Sequence, residues 1–263
     1  MKKLLSVLFL AVVLIACSSK DNEVKFYYGA EVFSHQPVLF GKFEVRAKLI
    51  NESGVVSSFF LYDNASWQGR PFPWREIDIE SIGKEKGMLQ TNIITGYADK
   101  RVTSEGETLI ENVGAEYKTY TIEWTPDYVA WFVDGKEIRR DTAETSQQVV
   151  DLRDTPQTYR MNVWIAIWDE WVGKFKESSF PMYQSINWIK YYEYTPEKSE
   201  KFTHKWTDDF DTFDESRWGK GDWSFEGNLV VFVKGNAEIK DGHLVLGLTK
   251  DEFGYSGEFL KDE

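Results

Sequence analysis

The chain has 263 residues, and 43 acidic against 31 basic side chains give it a formal net charge of -12. So acidic a chain is unsuited to nucleic acid or anionic surfaces, which leaves neutral molecules as the easier partners. Aromatic residues make up 16% of the chain and include 11 Trp, so we expect some rings to line a cleft as well as a core.

The N-terminus has the pattern of an export signal. Two lysines precede an apolar run over residues 4–14, which is too short for a stable spanning helix. Cys17, the only Cys, follows Leu-Ile-Ala, which resembles a bacterial lipobox. We predict a signal peptide over 1–16, a lipidated Cys17 with a polar tether over 17–25, and an exported bacterial lipoprotein at the outer membrane or cell surface. An ordinary signal with an incidental cysteine is the alternative.

Residues 26–263 suit one large β-sandwich domain better than two domains. Apolar and alternating runs predict strands at 40–49, 55–62, 76–82, 89–95, 117–124, 129–133, 159–165, 186–194, 229–233 and 244–248. Asp134-Gly135 and Asp241-Gly242 stand between such runs and predict hairpin turns. Since no run predicts an amphipathic helix, the expected fold class is an all-β sandwich.

The stretch Trp74-Arg75-Glu76-Ile77-Asp78-Ile79-Glu80 alternates three acids with two isoleucines. On a strand the three carboxylates would share one face, with the Cα atoms of Glu76 and Glu80 about 13 Å apart. Side chains leaning together would bring the two carboxyl groups to about 5–6 Å, the separation typical of a retaining glycosidase. Repulsion should keep at least one proton in the group at pH 7, so one glutamate could be an acid and the other a nucleophile. A solvated acidic face or an ion site is the alternative.

The sequence Glu-Ile-Asp-Ile-Glu resembles the active-site signature of glycoside hydrolase family 16. Members of this family are concanavalin-like β-jelly-roll sandwiches of two antiparallel sheets. They cleave β-glycans with retention of the anomeric configuration. The resemblance implies that Glu76 is the nucleophile, that Glu80 is the acid/base and that Asp78 assists. Laminarinase-like members usually carry one extra residue before the last Glu. The spacing here resembles that of the 1,3-1,4-β-glucanases (lichenases) and the xyloglucan transglycosylases.

The family's motifs stand in an unusual order. Residues 41–46 resemble an early strand of the family, yet residues 210–218, which resemble the opening of an ordinary member, come near the C-terminus. Residues 28–31 and 255–258 look alike, as though a join were partly duplicated. We therefore predict a circularly permuted jelly roll, similar to a naturally permuted lichenase of the family; a sandwich with neighbouring termini tolerates such reordering.

The resemblance also implies a sugar-binding cleft with stacking platforms and hydrogen-bonding side chains. The matching positions are Phe60, Tyr62, Asn64, Trp74, Gln90, Asn92, Trp164, Trp171, Lys220, Asp222 and Trp223. Without the family match, each single aromatic residue is as well explained by a place in the core.

No cofactor is expected for catalysis, and the three histidines lack the spacing of a zinc site. Family members often carry a structural calcium, and the matching ligands are Asn187, Asp209 and the backbone carbonyl of Gly242; oxygen ligands suit calcium. Asn and Asp near strand ends are, however, usually turn formers. We expect a monomer that meets the membrane only through its lipid anchor.

The residues between Trp164 and Trp171 depart most from the resemblance, because Ile165, Ile167 and Trp168 replace small and polar residues. Alternation places both isoleucines on one face, in the core or in the cleft. In the cleft they would remove partners for hydroxyl groups and add stacking surface.

The predicted activity is retaining endo-hydrolysis of mixed-linkage 1,3-1,4-β-glucan. The alternatives are another β-glycan such as β-1,3-glucan, transglycosylation, or a non-catalytic surface glycan-binding lipoprotein.

Overall fold

A computed structural model describes residues 26–257 and 261–262. The predicted signal peptide, Cys17 and the tether lie outside these residues and stay predictions. Within the described ranges, no helix has both the length and the apolarity that a membrane crossing requires.

The described residues form mostly strands. In chain order these are β1 (Tyr27–Ser34), β2 (Gly41–Lys48), β3 (Val55–Tyr62), β4 (Glu76–Ile82), β5 (Met88–Tyr97), β6 (Lys100–Leu109), β7 (Lys118–Trp124), β8 (Tyr128–Val133), β9 (Lys136–Thr142), β10 (Thr158–Ile165), β11 (Met182–Tyr194), β12 (Phe202–Asp208), β13 (Trp218–Lys220), β14 (Val231–Phe232), β15 (Ala237–Lys240) and β16 (His243–Lys250). The α-helices in this part of the chain are single turns, α1 (Gln147–Asp151) and α2 (Asp169–Val172).

The strands form the two layers of a jelly roll. The first layer has the order β6-β5-β4-β3-β10-β1, with β13 beside β1. The second has the order β16-β11-β2-β7-β8-β9, with β12 and β15 at its side. A short antiparallel pairing of Tyr27 and Tyr28 with the end of β16 joins the layers. The predicted all-β jelly roll is confirmed, with one difference from a purely antiparallel sandwich, because β14 runs parallel to β1.

The core lies between the layers and is filled by the inward side chains of both sheets. The rings of Phe43 on β2 and Phe59 on β3 face each other across the layers with centroids 6.3 Å apart. Ile77 and Ile79 of β4 are fully buried, as their alternation with the acids predicts. Trp124 and Trp131 are also fully buried, so part of the high tryptophan content belongs to the core.

Every predicted run contains a strand, although only Val231 and Phe232 are paired in the run 229–233. Both predicted turns are present: Asp134 and Gly135 join β8 to β9, and Asp241 and Gly242 join β15 to β16. All four have positive φ, between 48° and 76°, as a two-residue hairpin turn of this kind requires.

The sequence did not predict β1, β6, β9, β12, β13 and β15. Strands β6 and β9 are the two outer edges of the layers and have many exposed polar side chains. Such strands can form without an apolar face of their own, because backbone hydrogen bonds to a neighbouring strand hold them in place. Apolar periodicity therefore does not reveal them.

Candidate active site

Glu76, Asp78 and Glu80 lie on the same face of β4, the third strand of the first layer. Antiparallel pairing places β3 on one side of the row and β5 on the other. Since paired residues share a face, each acid has two cross-strand neighbours from the predicted cleft or its surroundings. The aligned triplets are Tyr62, Glu76 and Ile94; Phe60, Asp78 and Asn92; and Ser58, Glu80 and Gln90.

Burial raises the pKa of all three carboxyl groups. The pKa of Glu76 rises to about 7, because desolvation outweighs the hydrogen bond from Trp74 and the nearby arginines. The pKa of Glu80 rises to about 8, through burial and through the charges of Glu76 and Glu105. Asp78 is 3% exposed, and burial followed by the charges of both glutamates raises its pKa well above the ordinary range. At neutral pH the row thus holds protons, and Glu76 is the glutamate that ionises more readily.

Trp74 orients Glu76. Its indole Nε1 donates a hydrogen bond of 2.7 Å to Glu76 Oε2, which fixes one carboxylate oxygen and leaves the other free to react. The ring of Trp74 meets the ring of Tyr62 edge to face at 5.6 Å, and the guanidinium of Arg101 lies 4.9 Å from the indole centroid. The charge of Arg101 lowers the pKa of Glu76, against the larger effect of burial.

The second layer and a loop also hold this face. Trp131, from β8, reaches across the core and donates its indole N–H to the backbone oxygen of Asp78 at 2.8 Å. Trp171 donates its indole N–H to Gln90 Oε1 at 3.0 Å, beside Glu80. Asn92 accepts a hydrogen bond from the backbone of Ser104 on β6 at 3.1 Å. Gln90 and Asn92 are both buried, and these hydrogen bonds fix the directions of their side-chain amides.

A buried polar network lies next to the row, on β10 and β1, and of its members the sequence analysis had identified only Asn64. Arg160 donates to the carboxylate of Glu31 and to Asn64 Oδ1. Asn162 donates to Glu31 at 3.1 Å and accepts from Ser58, whose Oγ is 2.6 Å from Asn162 Oδ1. Burial raises the pKa of Glu31, although Arg160 opposes this. The signal in the sequence was a charged and an amide residue inside the apolar run 159–165.

The predicted aromatic platforms occupy two parts of this face. Trp164 lies between the rings of Trp171, at 5.9 Å, and of Phe225, at 4.9 Å. Trp223 lies at the end of the first layer formed by β1, where its ring centroid is 5.4 Å from that of Phe33. The structure thus brings Phe60, Tyr62, Asn64, Trp74, Gln90, Asn92, Trp164, Trp171 and Trp223 to one side of the first layer.

Of the two remaining predicted cleft residues, Lys220 is placed differently and Asp222 forms an ion pair. Lys220 aligns with the buried Val32 of β1, and its Nζ lies 4.5 Å from the centroid of Phe213. It therefore lies on the core side of β1, away from Glu31 and the carboxylate row. Asp222 pairs with Lys234 at 2.9 Å.

The two isoleucines between Trp164 and Trp171 do not share a face. Ile165 ends β10 and is fully buried, whereas Ile167 is 49% exposed. The chain leaves the strand at Ala166, which forms a bridge with Asn228, so the alternation of the strand does not continue. Trp168 is 37% exposed.

The predicted calcium ligands lie at one end of the second layer, where β11 pairs with both β12 and β16. Asn187 donates its amide to Asp262 at 2.9 Å, which leaves its carbonyl oxygen as the atom that could bind a cation. Among the described side chains, no three of His, Cys, Asp or Glu form a metal-binding group. Calcium binding by Asn187, Asp209 and Gly242 stays a prediction.

Comparison with known families and proteins gives consistent results. The family model described as "Glycosyl hydrolases family 16" matches residues 15–190. The chain is 45% identical over 260 residues to a β-glucanase of Fibrobacter succinogenes, a match that covers 97% of this chain and 73% of that protein. A β-glucanase of Brevibacillus brevis is 30% identical over 182 residues, covering 67% of this chain and 65% of that protein.

Solved structures show the same fold. The β-glucanase of Bacillus licheniformis is 32% identical with a TM-score of 0.51, and the match covers 61% of this chain and 70% of that chain. A laminarinase from Flavobacterium sp. UMI-01 has a TM-score of 0.52 at 22% identity, covering 62% and 78%; at that identity the likeness concerns the fold alone.

The position of Arg101 predicts a measurable effect on Glu76. Because its positive charge favours the ionised carboxylate, Arg101→Met should raise the pKa of Glu76, so that the carboxylate forms at higher pH than in the parent protein. NMR titration of the labelled side-chain carboxyl carbon measures this directly. The difference should shrink with added salt because Arg101 is exposed.

Lys100→Met is the matched control, since it removes the same charge from the neighbouring residue, whose side chain points to the other face of β6. An equal change in the Glu76 titration in both variants would contradict a specific effect of Arg101.

Proposed function

The chain belongs to glycosyl hydrolase family 16, and from this premise we propose that it is a retaining endo-β-glucanase that hydrolyses mixed-linkage 1,3-1,4-β-glucan by double displacement. The identity to β-glucanases supports β-glucan as the substrate. The observation that carries the mechanism is the row of three acids on β4, in which Asp78 is buried between the half-buried Glu76 and Glu80, and Glu76 is held by Trp74.

In the first step, the free oxygen of Glu76 attacks the anomeric carbon. The bond from that carbon to the bridging oxygen breaks, and Glu80 gives its proton to the departing oxygen. The surroundings support this division, because the hydrogen bond from Trp74 and the nearby arginines lower the pKa of Glu76, whereas the charges of Glu76 and Glu105 raise the pKa of Glu80. Burial and the charges of both glutamates raise the pKa of Asp78, which favours its neutral form and limits the negative charge next to the nucleophile.

In the second step, Glu80 is a carboxylate and takes a proton from water. The water oxygen attacks the anomeric carbon from the face that the leaving sugar occupied, and the ester bond to Glu76 breaks. Two inversions give net retention, and both glutamates return to their starting protonation states. A sugar hydroxyl in place of water would give transglycosylation by the same residues.

The roles of the two glutamates can be separated by chemical rescue. With an aryl β-glycoside that has a good leaving group, azide should restore turnover to Glu76→Ala and give the α-glycosyl azide. In Glu80→Ala, azide should instead trap the glycosyl-enzyme and give the β-anomer. We expect Glu80→Ala to lose about 10²–10⁴-fold in kcat on polysaccharide, as for the loss of a general acid. Product stereochemistry is read by NMR.

Glu85→Ala, at an exposed position in the turn after β4, is the control and should keep parental activity. Products of the opposite configuration would exchange the two roles, and full activity in either active-site variant would end the assignment.

Substrate preference needs a direct comparison. We expect the highest kcat/KM on lichenan when lichenan, laminarin, xyloglucan, carrageenan and agarose are assayed side by side by release of reducing ends. Hydrolysis of laminarin with none of lichenan would overturn the linkage preference and leave the mechanism intact. Binding to these glycans without hydrolysis would support a non-catalytic glycan-binding protein, and longer products in place of reducing ends would identify a transglycosylase.

We also propose that the jelly roll is circularly permuted. The family model matches residues 15–190, yet β12 to β16 lie beyond that match and belong to the same sandwich. Pairing of β1 with β16 places the two ends of the fold side by side. Moving residues 204–263 ahead of residue 28 through a short linker should therefore preserve folding and activity. Unfolded products with several linker lengths, judged by circular dichroism, would contradict this.

A further inference from the structure

We propose that Trp168 is an additional sugar-binding residue, which strengthens the binding of long β-glucan chains beyond the sugars held at the carboxylates. The inference rests on the proposed function. Trp168 lies next to Trp171 and extends the row formed by Phe225, Trp164 and Trp171, which we call the aromatic wall.

The ring of Trp168 is held from two sides. Its centroid is 6.2 Å from that of Trp171. On the other side it lies against Gly227, where the Cβ atom of any larger residue would be 2.0 Å from the ring. Only a residue without a side chain permits so close an approach, and the φ of +88° at Gly227 also favours glycine. The ring is therefore ordered before any ligand binds, which lowers the entropic cost of binding.

The backbone around Trp168 is held as well. Ile167 donates its N–H to the carbonyl of Gly227 at 3.0 Å, and the carbonyl of Trp168 accepts from Trp171 and Val172 at 3.0 and 3.2 Å. The first bond connects the loop of α2 to the loop that precedes β14, and the other two close the turn of α2 onto Trp168. A flexible surface tryptophan would have no such support.

Although held, Trp168 keeps 37% of its surface exposed, and Phe225 keeps 41%. Together the two rings form a contiguous exposed apolar surface, and such patches mark interaction and ligand-binding sites, whereas single exposed apolar residues do not. The wall continues to the carboxylate row, because Trp171 is hydrogen-bonded to Gln90, the partner of Glu80 in the sheet. A chain bound across the row can thus reach the wall, and flat rings match the C–H faces of sugars.

The neighbouring charges favour a neutral ligand. Asp169 and Glu170 follow Trp168 directly at the start of α2, and they would repel an anionic polymer. An uncharged polysaccharide that continues out of the cleft fits this surface better than a nucleic acid or an acidic glycan.

The test compares Trp168→Ala and Trp168→Phe with the parent on long and short β-glucans. We expect Trp168→Ala to raise KM for the polysaccharide about three- to tenfold, the loss of one aromatic contact, at nearly unchanged kcat. Trp168→Phe keeps a flat ring and should recover most of the affinity. A short aryl glycoside that spans only the carboxylates should be cleaved equally by all three.

Two controls make the result specific. Phe253→Ala removes another exposed ring, which packs on Tyr28 and Gly235 away from the aromatic wall, and should change neither constant. Calorimetric titration of long oligosaccharides into Glu76→Ala, with and without Trp168→Ala, measures the binding difference without turnover. Thermal unfolding of Trp168→Phe, the milder change, confirms that the fold is retained.

Unchanged KM and affinity in Trp168→Ala would overturn this inference, as would an equal loss of kcat on long and short substrates. A dimer of the parent that dissociates on Trp168→Ala, seen by sedimentation equilibrium, would overturn it too, since a second copy would then cover the ring. Failure of the proposed function has a different outcome, because the parent protein would then hydrolyse no β-glucan at all.

Discussion

The constraint on which the rest of the structure depends is the burial of three carboxyl groups on one strand. Ionised carboxylates removed from water are unstable unless they are paired, so their pKa values rise until protons are retained. In β4 this happens to Glu76, Asp78 and Glu80 together. The consequence is chemical: one face of a rigid strand offers a proton donor and a carboxylate at nearly the same pH.

The two glutamates differ because their surroundings differ. Glu76 receives a hydrogen bond from Trp74 and the positive fields of Arg101 and Arg160, which partly offset its burial. Glu80 has acidic neighbours and no such support. Identical side chains therefore separate into a group that ionises first and a group that keeps its proton, as the division between nucleophile and acid requires.

The two-layered sandwich makes this row rigid. Trp131, buried in the second layer, donates its hydrogen bond to the carbonyl of Asp78 in the first, so the core itself holds the strand that carries the acids. On the open side, polar residues of β10 and β1 and the rings of the α2 loop flank this row. Rigid strands thus position the chemistry, while loops provide the surfaces that can differ between relatives.

The sequence by itself determined the fold class and the row of three acids on β4. Alternation over residues 76–80 assigns Ile77 and Ile79 to the core and the acids to the opposite face, because the period of a strand is two. The Asp-Gly pairs likewise determine their own turns. These features are local, and neighbouring residues suffice to specify them.

Only the tertiary structure decided which distant residues meet the row. Glu31 and Arg160 pair across 129 residues of sequence, and no local pattern identifies such a partner. Lys220 shares the Gly-Lys-Gly-Asp-Trp segment with Trp223, but its alignment with Val32 directs it to the core side. Ile165 and Ile167 separate because β10 ends between them. Edge strands such as β6 are defined by backbone hydrogen bonds to a neighbour, which side-chain periodicity does not encode.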